Sequence, residues 1–145
     1  MNSCIFCRII RGELSASWIF EDSLVTAFLD ISPVNGGHVL VVPRRHVASL
    51  TDLTSAEIEC IARTAQQVAA ALKSTLPECE GVSLSMADGE AAGQEVPHAH
   101  LHVIPRHRGD GFGWRRLGSS MDRTQLDDTA SRIRHTMEIS GAPDA

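Results

Sequence analysis

The alternation of apolar and polar residues changes rhythm several times along this 145-residue chain, and each change marks an element. Trp18-Ile19-Phe20 and Leu24-Val25-Thr26-Ala27-Phe28-Leu29 are runs of aromatic and β-branched residues separated by Glu21-Asp22-Ser23, which predicts two strands joined by a turn. The turn formers of Ile31-Ser32-Pro33-Val34-Asn35-Gly36-Gly37 then predict a loop. His38-Val39-Leu40-Val41-Val42, stopped by Pro43, is almost continuously apolar, which predicts a third strand in a central position. The rhythm next lengthens to the helical period at Ile58, Ile61, Ala62, Ala65, Val68, Ala69 and Leu72. Thr54-Ser55-Ala56-Glu57 opens that helix as a capping box, and it runs to about residue 76. Strict alternation returns at Val82-Ser83-Leu84-Ser85-Met86, a strand, and again at His98-Ala99-His100-Leu101-His102-Val103-Ile104, a strand ended by Pro105. A glycine-rich stretch, residues 109–113, precedes Leu126, Ala130, Ile133 and Met137, which mark a final helix before a frayed tail after about residue 140. The expected fold is α+β: a five-stranded antiparallel sheet with two helices. No internal repeat or linker interrupts residues 1–145, so one domain is expected, with a core over about 3–108 and a C-terminal helix and tail over about 122–145.

Composition narrows the classes. Apolar residues make up 43% and charged residues 21%, ordinary for a globular protein, and the formal net charge is −5. Basic residues cluster only as Arg44-Arg45, Arg106-His107-Arg108 and Arg115-Arg116, too short to track a phosphate backbone, so no nucleic-acid partner is expected. The N-terminus lacks an apolar signal segment and no run approaches membrane-spanning length, so no membrane partner and a cytoplasmic location are expected. A reducing compartment argues against a Cys4–Cys7 disulfide.

The histidine strand carries the chemistry. On a strand His98, His100 and His102 project from one side while Ala99, Leu101 and Val103 project from the other. Three imidazoles in a row are a poor choice for stability, since each buried ring needs a hydrogen-bond partner. The row suits a metal site, or a neutral imidazole that attacks phosphorus, or a solvated polar face. Beside it, Gly93-Gln94-Glu95-Val96-Pro97 offers backbone N–H groups and an amide side chain suited to phosphate oxygens. Pro97 has no N–H for a sheet, so it belongs at a strand start or an edge. Cys4-x-x-Cys7 alone is compatible with zinc, a redox pair or neither, and Cys60 and Cys79 have no paired spacing.

His98-Ala99-His100-Leu101-His102-Val103-Ile104 has the spacing of the histidine triad (HIT) signature, histidines alternating with apolar residues, and Gly-Gln-x-Val precedes it. Cys4-Ile5-Phe6-Cys7, Phe28-Leu29-Asp30-Ile31-Ser32-Pro33, Gly37-His38-Val39-Leu40-Val41 and Pro43-Arg44-Arg45-His46 also match. Over about residues 3–108 the chain resembles the HIT superfamily, in its bacterial, Hint-like branch.

The resemblance implies a HIT-like fold and a hydrolase or transferase acting on purine nucleoside 5′-monophosphate derivatives, namely phosphoramidates and acyl or aminoacyl adenylates. His100 would attack the α-phosphorus to form a nucleotidyl-histidine. His102 would contact the phosphate oxygens, Gln94 the scissile bridge, and Val96 would contribute its backbone amide. Asp30 would hold the ribose hydroxyls, and Ile5, Phe6, Ile9, Phe28 and Ile31 would form the purine cleft, although Ile9 and Phe28 would serve equally as core. The partners of the CxxC pair would be His46 and His98, giving a structural zinc site of Cys4, Cys7, His46 and His98. Glu95 stands where many relatives carry a serine that assists the leaving group, and a carboxylate can donate there only with a raised pKa. Ala87 replaces an asparagine that usually helps position the phosphate. A homodimer through the first long helix and the central strand is implied, with Trp114 reaching toward the partner. Two other readings stay open: a dinucleoside polyphosphate hydrolase or phosphorylase, and a nucleotide-binding or protein-interaction module with little catalysis.

Overall fold

The computed structural model describes residues 3–113 and 120–139, so Trp114, Arg115-Arg116 and the tail after residue 140 lie outside the described residues. The chain divides into two compact units after Gly111. The first holds α1 (Ile5–Ile10), β1 (Trp18–Glu21), β2 (Val25–Leu29), β3 (Val39–Pro43), α2 (Ser55–Thr75), β4 (Gly81–Ser85) and β5 (Leu101–Arg106). The second holds α3 (Arg123–Ile139), entered through a reciprocal cap: Gln125 N–H donates to Asp122 Oδ1 at 2.9 Å and Asp122 N–H to Gln125 Oε1 at 3.0 Å.

The five strands form one antiparallel sheet in the order β1-β2-β3-β5-β4. Its two faces have different covers. Val25, Ala27, Val39, Val41 and Val103 pack on Cys60, Ile61, Ala65, Val68 and Leu72 of α2. The alternate residues Phe28, Leu40 and Val42 pack with Phe6, Cys7 and Ile9 of α1. Both faces of β2 and β3 are therefore buried, which is why these strands read as continuous apolar runs. Each fully buried Val or Leu stabilises the fold by roughly 1.5–3 kcal/mol.

Three expectations need correction. There is a third helix, α1, whose six residues are too short to show a period; extended Cys4 precedes it and Gly12, at φ 75°, follows. β5 begins at Leu101, so His98, Ala99 and His100 stand before the strand. The reason is local: Ala99 N–H donates to Val47 O at 2.7 Å and His98 N–H to Val96 O at 2.8 Å, away from any strand ladder. Pro97 accordingly lies ahead of the strand, in neither of its expected places. Pro105, finally, lies within β5, opposite Val82 and beyond Val103, the last residue paired with β3, where a missing N–H is tolerated.

β3 is central, as its pattern predicts, with partners on both sides. Both of its hydrogen-bonding edges are therefore taken within the chain, and the free edge beyond β5 belongs to β4, where Leu84 is exposed. Gly37 closes the loop before β3. Its φ is 99°, and a Cβ there would meet Leu76 Cδ1 at 2.6 Å, so glycine lets the residues around His38 lie against the end of α2.

Candidate active site

Although only His102 lies on β5, the three rings fall side by side. The Phe6 ring lies edge-on to both His98, at 5.8 Å, and His100, at 5.1 Å, and His100 and His102 are 4.9 Å apart. Register explains the split: Leu40 opposes His102 on the α1 face, while Val39 and Val41 oppose Val103 and Leu101 on the α2 face.

Backbone groups fix the proton on each ring. His100 Nδ1 lies 2.7 Å from His98 O. A carbonyl can only accept, so Nδ1 carries the proton and Nε2 presents a lone pair. His102 is set from the other end. Val34 N–H donates to His38 Nδ1 at 3.0 Å, so neutral His38 holds its proton on Nε2, which donates to His102 Nδ1 at 2.9 Å. His102 therefore carries its proton on Nε2. Asp30 Oδ2 stands 3.7 Å from His38 Nε2, and its Oδ1 accepts from Ser32 N–H at 2.8 Å. The site thus pairs an unprotonated ring nitrogen on His100 with a ring N–H donor on His102. His38 has no role in the sequence reading, because its importance depends on a contact with a strand 64 residues away.

The remaining expected residues divide. Phe6, Ile9 and Phe28 are buried together, whereas Ile5 is 41% exposed and Ile31 90% exposed beside Asp30. Val96 packs against the Phe6 cluster, and its N–H has no hydrogen-bond partner among the described residues. Gln94 is held by backbone at both ends of its amide: Nε2 donates to Ala48 O at 2.8 Å and Val96 O at 3.1 Å, and Oε1 accepts from Gly89 N–H at 2.8 Å. It orders its own loop in this state. Glu95 is exposed, and Asp88, next to Ala87, accepts from Ser49 Oγ and Leu50 N–H, both at 3.2 Å.

Next to the row, Cys4, Cys7, His46 and His98 bring their ligand atoms within 4.8 Å of one another. Sulfur–nitrogen separations are 3.4 Å for Cys4–His98, 3.3 Å for Cys7–His46 and 3.6 Å for Cys7–His98. A tetrahedral zinc with Zn–S near 2.3 Å and Zn–N near 2.1 Å places such atoms about 3.6 Å apart, so the set fits the ion. His98 Nε2–H donates to Pro43 O at 2.8 Å, leaving Nδ1 as the ligand nitrogen. β3 pairs with β5 only as far as Val41, so β5 does not use the Pro43 carbonyl. A second group, Asp30, His38 and His102, is equally compact. The Val34 N–H on His38 Nδ1 keeps the proton on Nε2, the nitrogen a metal would need, and that proton is given to His102 Nδ1 as a hydrogen bond.

Burial pushes the His102 imidazole down to about 4, with the His100 and His38 rings adding to it and Asp30 opposing. His38 is lowered too, first by burial, against Asp30. Both rings are neutral at pH 7 when folded. In an unfolded chain histidine titrates near ~6.5, so above that pH neither state is charged. Below it the unfolded chain takes up protons that the folded one refuses, and stability falls until about pH 4. Urea unfolding should show His102 contributing a loss on the order of 2 kcal/mol between about pH 7 and pH 5, with a shallower decline in His102→Gln. Equal slopes in the two proteins would contradict the assignment.

The HIT domain family matches residues 11–109. A Candida albicans protein named adenosine 5′-monophosphoramidase is 34% identical over 127 residues, 83% of this chain and 84% of that one. A crystal structure of a HIT family protein from Bacillus anthracis superposes with a TM-score of 0.85 at 38% identity, covering 94% of this chain and 98% of that one. A Zn-bound histidine triad family protein from Mycobacterium smegmatis superposes at 0.73 with 34% identity, covering 93% and 98%. With the triad, its fixed tautomers and the sheet that carries them, these similarities show that the chain belongs to the histidine triad family.

Proposed function

We propose that this protein hydrolyses purine nucleoside 5′-monophosphate derivatives, phosphoramidates and acyl or aminoacyl adenylates foremost, through a nucleotidyl group carried on His100. The observation that carries this reading is the 2.7 Å contact from His100 Nδ1 to His98 O, which leaves Nε2 as a neutral nucleophile. In the first step Nε2 bonds to the α-phosphorus and the bond to the leaving group breaks. Its electron pair departs with the leaving group, an amine that takes up a proton or a carboxylate that needs none. In the second step water attacks the same phosphorus and loses a proton, and the phosphorus–nitrogen bond to His100 breaks, releasing the mononucleotide.

The other residues take roles that suit their places. His102 Nε2–H faces the charge that develops on a phosphate oxygen, and the N–H of Val96 offers a second donor. Asp30 is partly exposed and can accept from ribose hydroxyls; exposed Ile5 and Ile31 offer the purine an apolar surface, with Phe6 behind them. Gln94 reaches the scissile bridge only by releasing a backbone contact. Zinc held by Cys4, Cys7, His46 and His98 supplies structure and no step of the reaction. The reading also takes the chain as a cytoplasmic homodimer; among the described residues no helix is long and apolar enough to cross a membrane, and Leu84 on the β4 edge offers an apolar contact.

The Candida albicans relative is named for cleavage of an adenosine 5′-monophosphoramidate, which favours the phosphoramidate here. Turnover of a fluorogenic adenosine phosphoramidate, set beside an acyl adenylate and a dinucleoside polyphosphate, tests it. The amide should give the higher kcat/KM. Preference for the polyphosphate would overturn the leaving group, and AMP binding without turnover of any substrate would leave a binding module.

A further inference from the structure

The segment between β3 and α2 touches the site one residue after another. His46 Nδ1 lies 3.3 Å from Cys7 Sγ. Val47 O accepts from Ala99 N–H at 2.7 Å, and Ala48 O accepts from Gln94 Nε2 at 2.8 Å. Ser49 Oγ and Leu50 N–H both donate to Asp88. This strap therefore carries His46 against Cys7, and holds the residue between His98 and His100 and both ends of the loop leading to the triad.

A bidentate ion pair fastens the strap to α2, in addition to the single contact of Arg44 Nη1 with exposed Glu21 Oε2 at 3.3 Å. The Arg45 guanidinium grips Glu57 with both arms, Nε to Oε1 at 2.9 Å and Nη2 to Oε2 at 2.8 Å, and Nη2 also donates to Asp52 O at 3.0 Å. Glu57 lies in the first turn of α2, is 4% exposed, and also accepts from Thr54 N–H at 2.8 Å. A capping box needs only a Glu at this position; the bidentate fork is an addition, and it reaches the residue immediately before a zinc ligand.

We propose that Arg45 and Glu57 are positioning residues for the reaction, fixing the strap so that it aligns His46 for the metal and the Ala99 backbone for His100. Neither touches the reacting atoms. The kinetic part rests on the proposed role of His100; the metal and backbone parts do not.

Arg45→Lys keeps the charge but cannot form the fork, and Glu57→Gln keeps the shape but not the charge. Both are compared with Val68→Ala, which opens a cavity in the middle of α2, facing the sheet and remote from the strap. If the strap positions the site, both strap variants release zinc to a chromogenic chelator about tenfold faster, as loss of outer-shell support does. Their kcat on an adenosine phosphoramidate falls about tenfold with KM within about twofold, and the Ala99 amide exchanges faster. Val68→Ala, with at least as large a loss of Tm, changes none of these. Strap variants that lose Tm but match Val68→Ala in zinc release, kcat and Ala99 exchange would overturn the proposal. If the unmodified protein turns over no amide, the function proposed above fails, and zinc release and Ala99 exchange still decide the strap.

Discussion

His100→Ala should lose at least about 10⁴-fold in kcat on an adenosine phosphoramidate while still binding AMP and zinc. The size of the effect follows from what the ring supplies. In the proposed reaction its Nε2 forms the covalent bond to substrate, and no neighbouring ring is placed to substitute: His102 presents an N–H, and His98 has Nε2 on Pro43 O. The variant removes a ring that packs against Phe6 and His102 but leaves the Cys/His set untouched. His102→Ala should be milder, about 10²–10³-fold, because it removes one donor to developing charge and leaves the nucleophile. Steady-state kinetics on the three proteins checks both numbers. A His100→Ala enzyme within tenfold of the parent would end the nucleophile assignment.

The second large effect concerns the metal. The protein should carry one zinc per chain, and Cys7→Ser should lose it together with at least about 4 kcal/mol of stability, a fall in Tm of roughly 10 °C or more. The ion would join α1 to the strap and to the residue that begins the triad, three segments that are otherwise far apart in sequence. Burial, together with neighbouring Cys4, pushes the Cys7 thiol up, so without metal that thiol stays protonated and zinc must displace its proton to bind. Metal affinity should accordingly weaken as pH falls. Metal analysis and thermal unfolding of the parent and Cys7→Ser proteins check this, and equal Tm values would show that the cluster contributes nothing to the fold.

Much of this is legible in the sequence. The continuous apolar runs identify the strands with two covered faces, and Thr54 and Glu57 form the capping box that their spacing predicts. The histidine row is visible because three imidazoles alternating with core residues conflict with ordinary strand composition. The zinc partners were available only through resemblance: Cys4-x-x-Cys7 has no sequence signal for His46, 39 residues from Cys7, or for His98, 94 residues from Cys4. Other features depend on tertiary contacts that no local pattern encodes. α1 is too short for its period to register; His38 matters because Val34 N–H and His102 meet it, and Arg45 because Glu57 does. The sequence places the start of β5 too early because alternation at His98 and Ala99 mimics a strand, while Ala99 N–H is taken by Val47 O.

The stereochemical course at phosphorus tests the central claim most directly. A nucleoside phosphorothioate amide of known configuration, hydrolysed in isotopically labelled water, records the number of displacements. Attack by His100 followed by water inverts the centre twice, so the account predicts net retention. Net inversion would mean that water attacks directly, with no nucleotidyl-histidine, and would contradict it.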